Sequence, residues 1–115
     1  MAETERSESP INIGGNVAIN CPGCPFYPYD HGILPGEMIG RQPVTTKWNI
    51  KVEDDVWLGF GVIVLDGVRI AKGAVIGAGS VVTRDIPDGA IAVGVPSQII
   101  KMRSDLAGKA EGKYK

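Results

Sequence analysis

Residues 52–87 divide into six units of six: V-E-D-D-V-W, L-G-F-G-V-I, V-L-D-G-V-R, I-A-K-G-A-V, I-G-A-G-S-V and V-T-R-D-I-P. The first position is always a branched aliphatic: Val52, Leu58, Val64, Ile70, Ile76, Val82. The fifth is small or β-branched in every unit: Val56, Val62, Val68, Ala74, Ser80, Ile86. The fourth is glycine in the middle four units, at Gly61, Gly67, Gly73 and Gly79. A helix advances about 100° per residue, so a period of six walks its apolar stripe around the cylinder. A plain strand alternates with period two, so six residues fit only if each unit also turns a corner. The geometry that satisfies both is a prism. Each unit is a short strand plus a turn, three units close one coil, and coils stack as parallel strands about 4.8 Å apart. First-position aliphatics then point inward in ladders, Val52 over Ile70 and Leu58 over Ile76. Glycines serve corners that need positive φ.

Composition agrees. Ile (13) and Val (12) far outnumber Leu (4), which suits strands better than helices. Glycine, 16 of 115 residues, is about twice its usual share. The length allows one modest domain. Twelve Lys+Arg against 13 Asp+Glu gives a net charge of −1, which disfavours a basic nucleic-acid surface. The start, M-A-E-T-E-R-S-E-S-P, holds no apolar signal core, and no apolar run approaches the ~18 residues of a membrane span. The expectation is a soluble cytoplasmic protein with no nucleic acid or membrane partner.

Working outward, I-G-G-N-V-A (13–18) and I-N-C-P-G-C (19–24) fit the same six-residue frame. The spacing from Ile19 to Val52 is not a multiple of six, so an excursion must interrupt the winding. It is placed at 25–49, which is rich in Pro and Gly and holds Phe26, Tyr27, Tyr29 and Trp48. Long irregular segments in compact domains tend to carry function. The expected organisation is a disordered polar tail (1–10), a β-helical domain (11–100) and a C-terminal helix or tail (101–115).

Cys21 and Cys24 admit a redox or metal reading. A redox C-x-x-C normally opens a helix, which Pro22, Gly23, Pro25 and Pro28 oppose, and Cys21, Cys24 and His31 give three ligands where structural zinc wants four. No metal is expected. G-F-G and G-A-G lack the helix that a dinucleotide fingerprint requires.

The run V-W-L-G-F-G-V-I-V-L-D-G-V-R-I, then G-A-V-I-G-A-G-S-V-V-T-R-D-I-P and A-V-G-V-P, closely resembles the hexapeptide-repeat acyltransferases. The nearest likeness is to the maltose/galactoside O-acetyltransferase and polysaccharide-modifying branch, over roughly residues 11–101. The resemblance implies an all-β, left-handed parallel β-helix, against the usual right-handed crossover. It also implies acetyl-CoA as donor and a homotrimer with active sites between subunits. Carbonic-anhydrase relatives of this fold use three histidines, and this chain has one.

That histidine, His31 in Y-P-Y-D-H-G, stands in the loop where the family keeps its general base. An imidazole with pKa near 6.5 can take a proton from an attacking hydroxyl at neutral pH. Without the resemblance, a lone histidine reads as a surface or packing residue. By the same resemblance Asn20 faces the acceptor, Phe60 and Ala78 lie along the pantetheine arm, and Thr83 and Arg84 lie near its nucleotide end. Lys101 retains one of two usual phosphate-facing cations, Gln98 having replaced the other. Tyr29 and Trp48, with Tyr27, are candidates to stack on a sugar ring or to pack the loop. Glu53 and Ala71 depart from a common glycine. The implied activity is acetyl transfer to a hydroxyl of a sugar or polysaccharide precursor. The alternative is a catalytically inactive β-helical structural or regulatory subunit.

Overall fold

The computed structural model describes residues 11–19, 25–45 and 49–108. The first coil contains β1 (Ile11–Ile13), β2 (Ala18–Ile19) and β3 (Phe26–Tyr27). β4 (Asp30–His31) and β5 (Val44–Thr45) belong to the excursion. The second coil is β6 (Ile50–Val52), β7 (Trp57–Leu58) and β8 (Ile63–Leu65), and the third is β9 (Arg69–Ile70), β10 (Val75–Ile76) and β11 (Val81–Val82). β12 (Ala90–Val93) and β13 (Gln98–Met102) close the chain's winding.

These strands sort into three faces. The first is β1-β6-β9, the second β2-β7-β10-β12-β13 and the third β3-β8-β11, and every pairing is parallel except β12 with β13. The expected ladders are present: Ile13–Val52–Ile70, Ile19–Leu58–Ile76–Ala92 and Phe26–Val64–Val82 stand in register. From Ile50 onward these inward residues, together with Val56, Val62, Val68, Ala74 and Ser80, are buried. Between Val52 and Val82 branched aliphatics of near-equal size stack rung on rung, as close packing favours, with Phe26 and Ala92 at outer rungs. The fold is a left-handed parallel β-helix.

Corners follow the fourth-position rule. Gly61, Gly67, Gly73 and Gly79 have φ of 74°, 81°, 75° and 76°, and Asp55 takes the equivalent place at 58°. Gly59 is needed for a different reason: a Cβ there would stand 2.7 Å from the Ala78 backbone nitrogen in the coil above.

The structure differs from the sequence reading in three places. Phe26 and Tyr27 still pair with β8, so the excursion begins after Tyr27 rather than at Pro25. The last coil is shorter than eighteen residues: Ile86 bridges to Ile70 and Ala92 pairs with Ile76. The segment read as a C-terminal helix or tail instead starts in a strand. β13 folds back antiparallel on β12, and among the described residues of that segment Arg103–Leu106 form a 3-10 turn. Residues 1–10 and 109–115 lie outside the described residues. No helix among the described residues is long and apolar enough to cross a membrane.

The outward side chains divide the prism unequally. On the first face they are Asn12, Lys51 and Arg69. Glu53 accepts the Arg69 Nε–H at 2.5 Å and the Lys72 N–H at 3.2 Å, and Asp85 accepts the Arg69 N–H at 2.8 Å. The Arg69 hydrogen bond is the main reason the Glu53 carboxyl is held below its ordinary pKa, and Glu53 in turn raises that of Arg69. On the second face the outward ladder is Ala18–Trp57–Val75–Ile91. On the third it is Ile63–Val81 beside Tyr27–Leu65. One face is therefore ionic and two are apolar.

Candidate active site

The second and third faces meet along an edge built from successive turns. Phe60 and Ala78 lie on it one above the other, tied by the Gly79 N–H donating to the Phe60 carbonyl at 2.8 Å. The next turn is Gly94–Val95–Pro96, with a cis bond before Pro96. Ser80 fixes it from inside. Its buried hydroxyl donates to the Gly77 carbonyl at 2.7 Å and accepts the Gly94 N–H at 3.0 Å. A buried hydroxyl must find such partners, and here it uses both functions to join two coils. Phe60 and Val95 are strongly exposed, so the edge is an apolar ledge running along the prism axis.

Lys101 lies on β13 opposite Ile91, exposed at the far end of the second face. Arg103 anchors this strand. Its guanidinium Nη1 donates to Asp55 Oδ2 at 3.2 Å and to the Gly73 carbonyl at 3.1 Å, and its N–H donates to the Gly89 carbonyl at 2.7 Å. Thr83 and Arg84 follow β11 and are exposed at the corner between the third and first faces. They do not share the ledge with Phe60 and Ala78.

His31 stands on an arm that leaves the prism after β3, from that same third–first corner. β4 and β5 pair antiparallel, with Asp30 opposite Thr45 and His31 opposite Val44. The His31 side chain is exposed, as are Tyr27 and Tyr29, while Pro28 between them is buried. Beyond His31 the arm bears exposed Ile33, Leu34, Met38 and Ile39, the last opening a 3-10 turn at Ile39–Arg41. Asn20 and Trp48, and likewise Cys21 and Cys24, lie outside the described residues.

Within one protomer, then, the histidine and the apolar ledge spring from different edges of the prism. Two open grooves of the first face are lined by residues including Asn12, Lys51, Glu53 and Lys72, and Arg69, Asp85 and Asp88. None of the expected site residues that fall among the described residues borders either. Among the described residues no cluster of three or more His, Cys, Asp or Glu is placed to hold a metal ion. The sequence reading missed the Gly94–Val95–Pro96 continuation of the ledge and Ser80 beneath it. The signal for both was the G-V-P turn, which stands one coil beyond Ala78.

Residues 49–84 match the family model described as bacterial transferase hexapeptide (six repeats). The galactoside O-acetyltransferase of Lactococcus lactis is 55% identical over 98 residues, which is 85% of this chain and 46% of that protein. A hexapeptide-repeat acetyltransferase of Vibrio cholerae, solved with acetyl coenzyme A, superposes with a TM-score of 0.71 at 33% identity, covering 80% of this chain and 49% of the other. A maltose O-acetyltransferase of Clostridium difficile gives a TM-score of 0.69 at 33% identity, covering 81% and 59%. The chain spans just under half the length of the Lactococcus relative. Six-residue rhythm, three-faced prism and these likenesses agree: the chain belongs to the hexapeptide-repeat acyltransferase family.

Proposed function

We propose that this chain takes part in acetyl transfer from acetyl-CoA to a hydroxyl of a sugar-like acceptor, at seams between three copies. One observation carries the reading: two adjacent faces are apolar on the outside, and the histidine arm and the ledge spring from the two edges that bound the third face. A rotational assembly that sets the second face of one copy against the third face of the next covers both apolar surfaces. It is a heterologous contact, and three such contacts close a ring. One copy's arm then reaches the neighbour's ledge.

The chemistry follows from the groups available. The pantetheine arm lies along Phe60, Ala78 and the Gly94–Pro96 turn, with the nucleotide end toward Lys101 or toward Thr83 and Arg84, the Lys101 and Arg84 cations suiting phosphate. Neutral His31 takes the proton of the acceptor hydroxyl as its oxygen attacks the thioester carbonyl. The tetrahedral oxyanion collapses, the carbon–sulfur bond breaks, and the CoA thiolate leaves and takes up the proton from the imidazolium. Tyr29, two residues before His31, offers an exposed ring to the acceptor.

The test is turnover. Purified protein with acetyl-CoA and a panel of sugars should release free thiol. His31→Ala should keep the same assembly and lose at least ~10² in rate. Near-normal turnover in that variant rejects the base assignment. An absence of both turnover and CoA binding in the unaltered protein favours the structural-subunit reading.

A further inference from the structure

Within the histidine arm Gln42 is an unusual residue, a polar side chain only 4% exposed on an excursion whose other described residues, Pro28 aside, are exposed or half-buried. Its amide is fully engaged with backbone. Oε1 accepts the Leu34 N–H at 2.9 Å, and Nε2 donates to the Leu34 carbonyl at 3.0 Å and to the Glu37 carbonyl at 3.0 Å. Both ends of one peptide residue and a third group three residues on are thus held by one side chain. The turn from Gly32 to Arg41 contains no regular strand, so these bonds stand in for the missing ladder.

The same side chain fills the space beside Gly32. A Cβ on Gly32 would stand 2.8 Å from Gln42 Oε1 and 3.0 Å from Gln42 Cβ. Gly32 in turn donates its N–H to the Pro43 carbonyl at 3.0 Å, the rung that follows the pairing of His31 with Val44. Gln42 therefore sits in the crook of the hairpin, against the residue that follows the histidine. Arm geometry passes from Gln42 to Gly32 and from there to the imidazole-bearing strand.

We propose that Gln42 is a positioning residue: it sets the pose in which the arm presents His31 to the reacting groups. The inference rests on the assignment of His31 as base. A misplacement of about 1 Å at a catalytic group costs on the order of 10² in rate, which is the scale at stake when three hydrogen bonds that shape the arm are lost.

Gln42→Ala removes all three bonds. Gln42→Glu keeps an acceptor for the Leu34 N–H but, when ionised, offers no N–H to the two carbonyls. Both variants should assemble normally and bind CoA as the parent does, because the ledge lies on the prism. Both should lower kcat by roughly ten-fold or more with the KM for acetyl-CoA unchanged. Hydrogen exchange at the Gly32 and Leu34 amides should quicken while the prism amides stay protected. The deciding measurement is the double variant. If Gln42 acts through His31, Gln42→Ala costs nothing further in the His31→Ala background. A full His31→Ala loss with a Gln42→Ala loss that adds to it in the double variant, or with no Gln42→Ala loss in the otherwise unaltered protein, overturns the positioning role alone. Unchanged turnover in His31→Ala overturns the base assignment, and the positioning role with it.

Discussion

Trp57 and Leu58 are neighbours in β7 with opposite fates, and replacing each in turn tests both the winding and the seam. Leu58 is fully buried between Ile19 and Ile76, whereas Trp57 points outward and is 41% exposed. With about 250 Å² for a whole tryptophan, roughly 100 Å² is open in a single copy. If a neighbour covers half of it, at about 25 cal/mol per Å², each seam gains about 1.2 kcal/mol. Three seams give about 4 kcal/mol, a shift of about 10³ in the dissociation equilibrium. Trp57→Lys should weaken the proposed trimer by at least that much, because the lysine charge must also be desolvated. Leu58→Ala should instead destabilise the fold itself by about 2–5 kcal/mol. Sedimentation across a dilution series reads the first effect, and denaturant unfolding reads the second. Assembly undiminished in Trp57→Lys would falsify the second face as a seam. Unfolding as severe as in Leu58→Ala would show that Trp57 is not an outward residue.

Ser80→Ala should cost about 1–3 kcal/mol, since the Gly94 N–H and Gly77 carbonyl lose a buried partner; a denaturant midpoint unchanged from the parent would contradict the bridging geometry. Gly59→Ala pushes a methyl into the Ala78 backbone, so it should destabilise by about 1–3 kcal/mol and weaken CoA binding by calorimetry, whereas tight binding would show that the ledge tolerates spreading. Glu53 has a folded pKa below its unfolded one, so its contribution is present above the unfolded value and fades as pH falls through the depressed one. Glu53→Gln should accordingly flatten part of the acid-side loss of stability, and a parallel pH profile in variant and parent would argue against the Arg69 pairing.

How much of this was legible beforehand depends on what each segment buries. From Val52 to Val82 every unit buries its first and fifth residues, and burial leaves a mark in sequence, so the coil, its ladders and its corners could be read directly. The arm buries little beyond Pro28 and Gln42, and its order comes from side-chain-to-backbone bonds that have no period. β13 was hidden for a related reason. Ile99 and Ile100 are exposed and the strand is held through its backbone and Arg103, so Q-I-I-K-M carries no alternation to find. The shortened last coil was missed because Ile86 fits an inward fifth position as well as a place above Ile70. As for the site, a ledge of Phe60 and Ala78 follows from the corner rhythm, but its separation from His31 does not. That separation depends on which edge the excursion leaves, which is fixed by Phe26 pairing with Val64.

A parallel solenoid carries a built-in hazard, because its last coil offers the same row of backbone groups that every earlier coil used to recruit the next. β13 runs against the grain of that row, interrupted by an irregularity between Ile91 and Ala92, and Arg103 ties its end across the corner to Asp55 and Gly73. A stranger's coil approaching from that side meets a strand of the wrong polarity and wrong spacing. By reversing direction once, β13 denies that side of the prism the continuous parallel edge on which another coil would be laid.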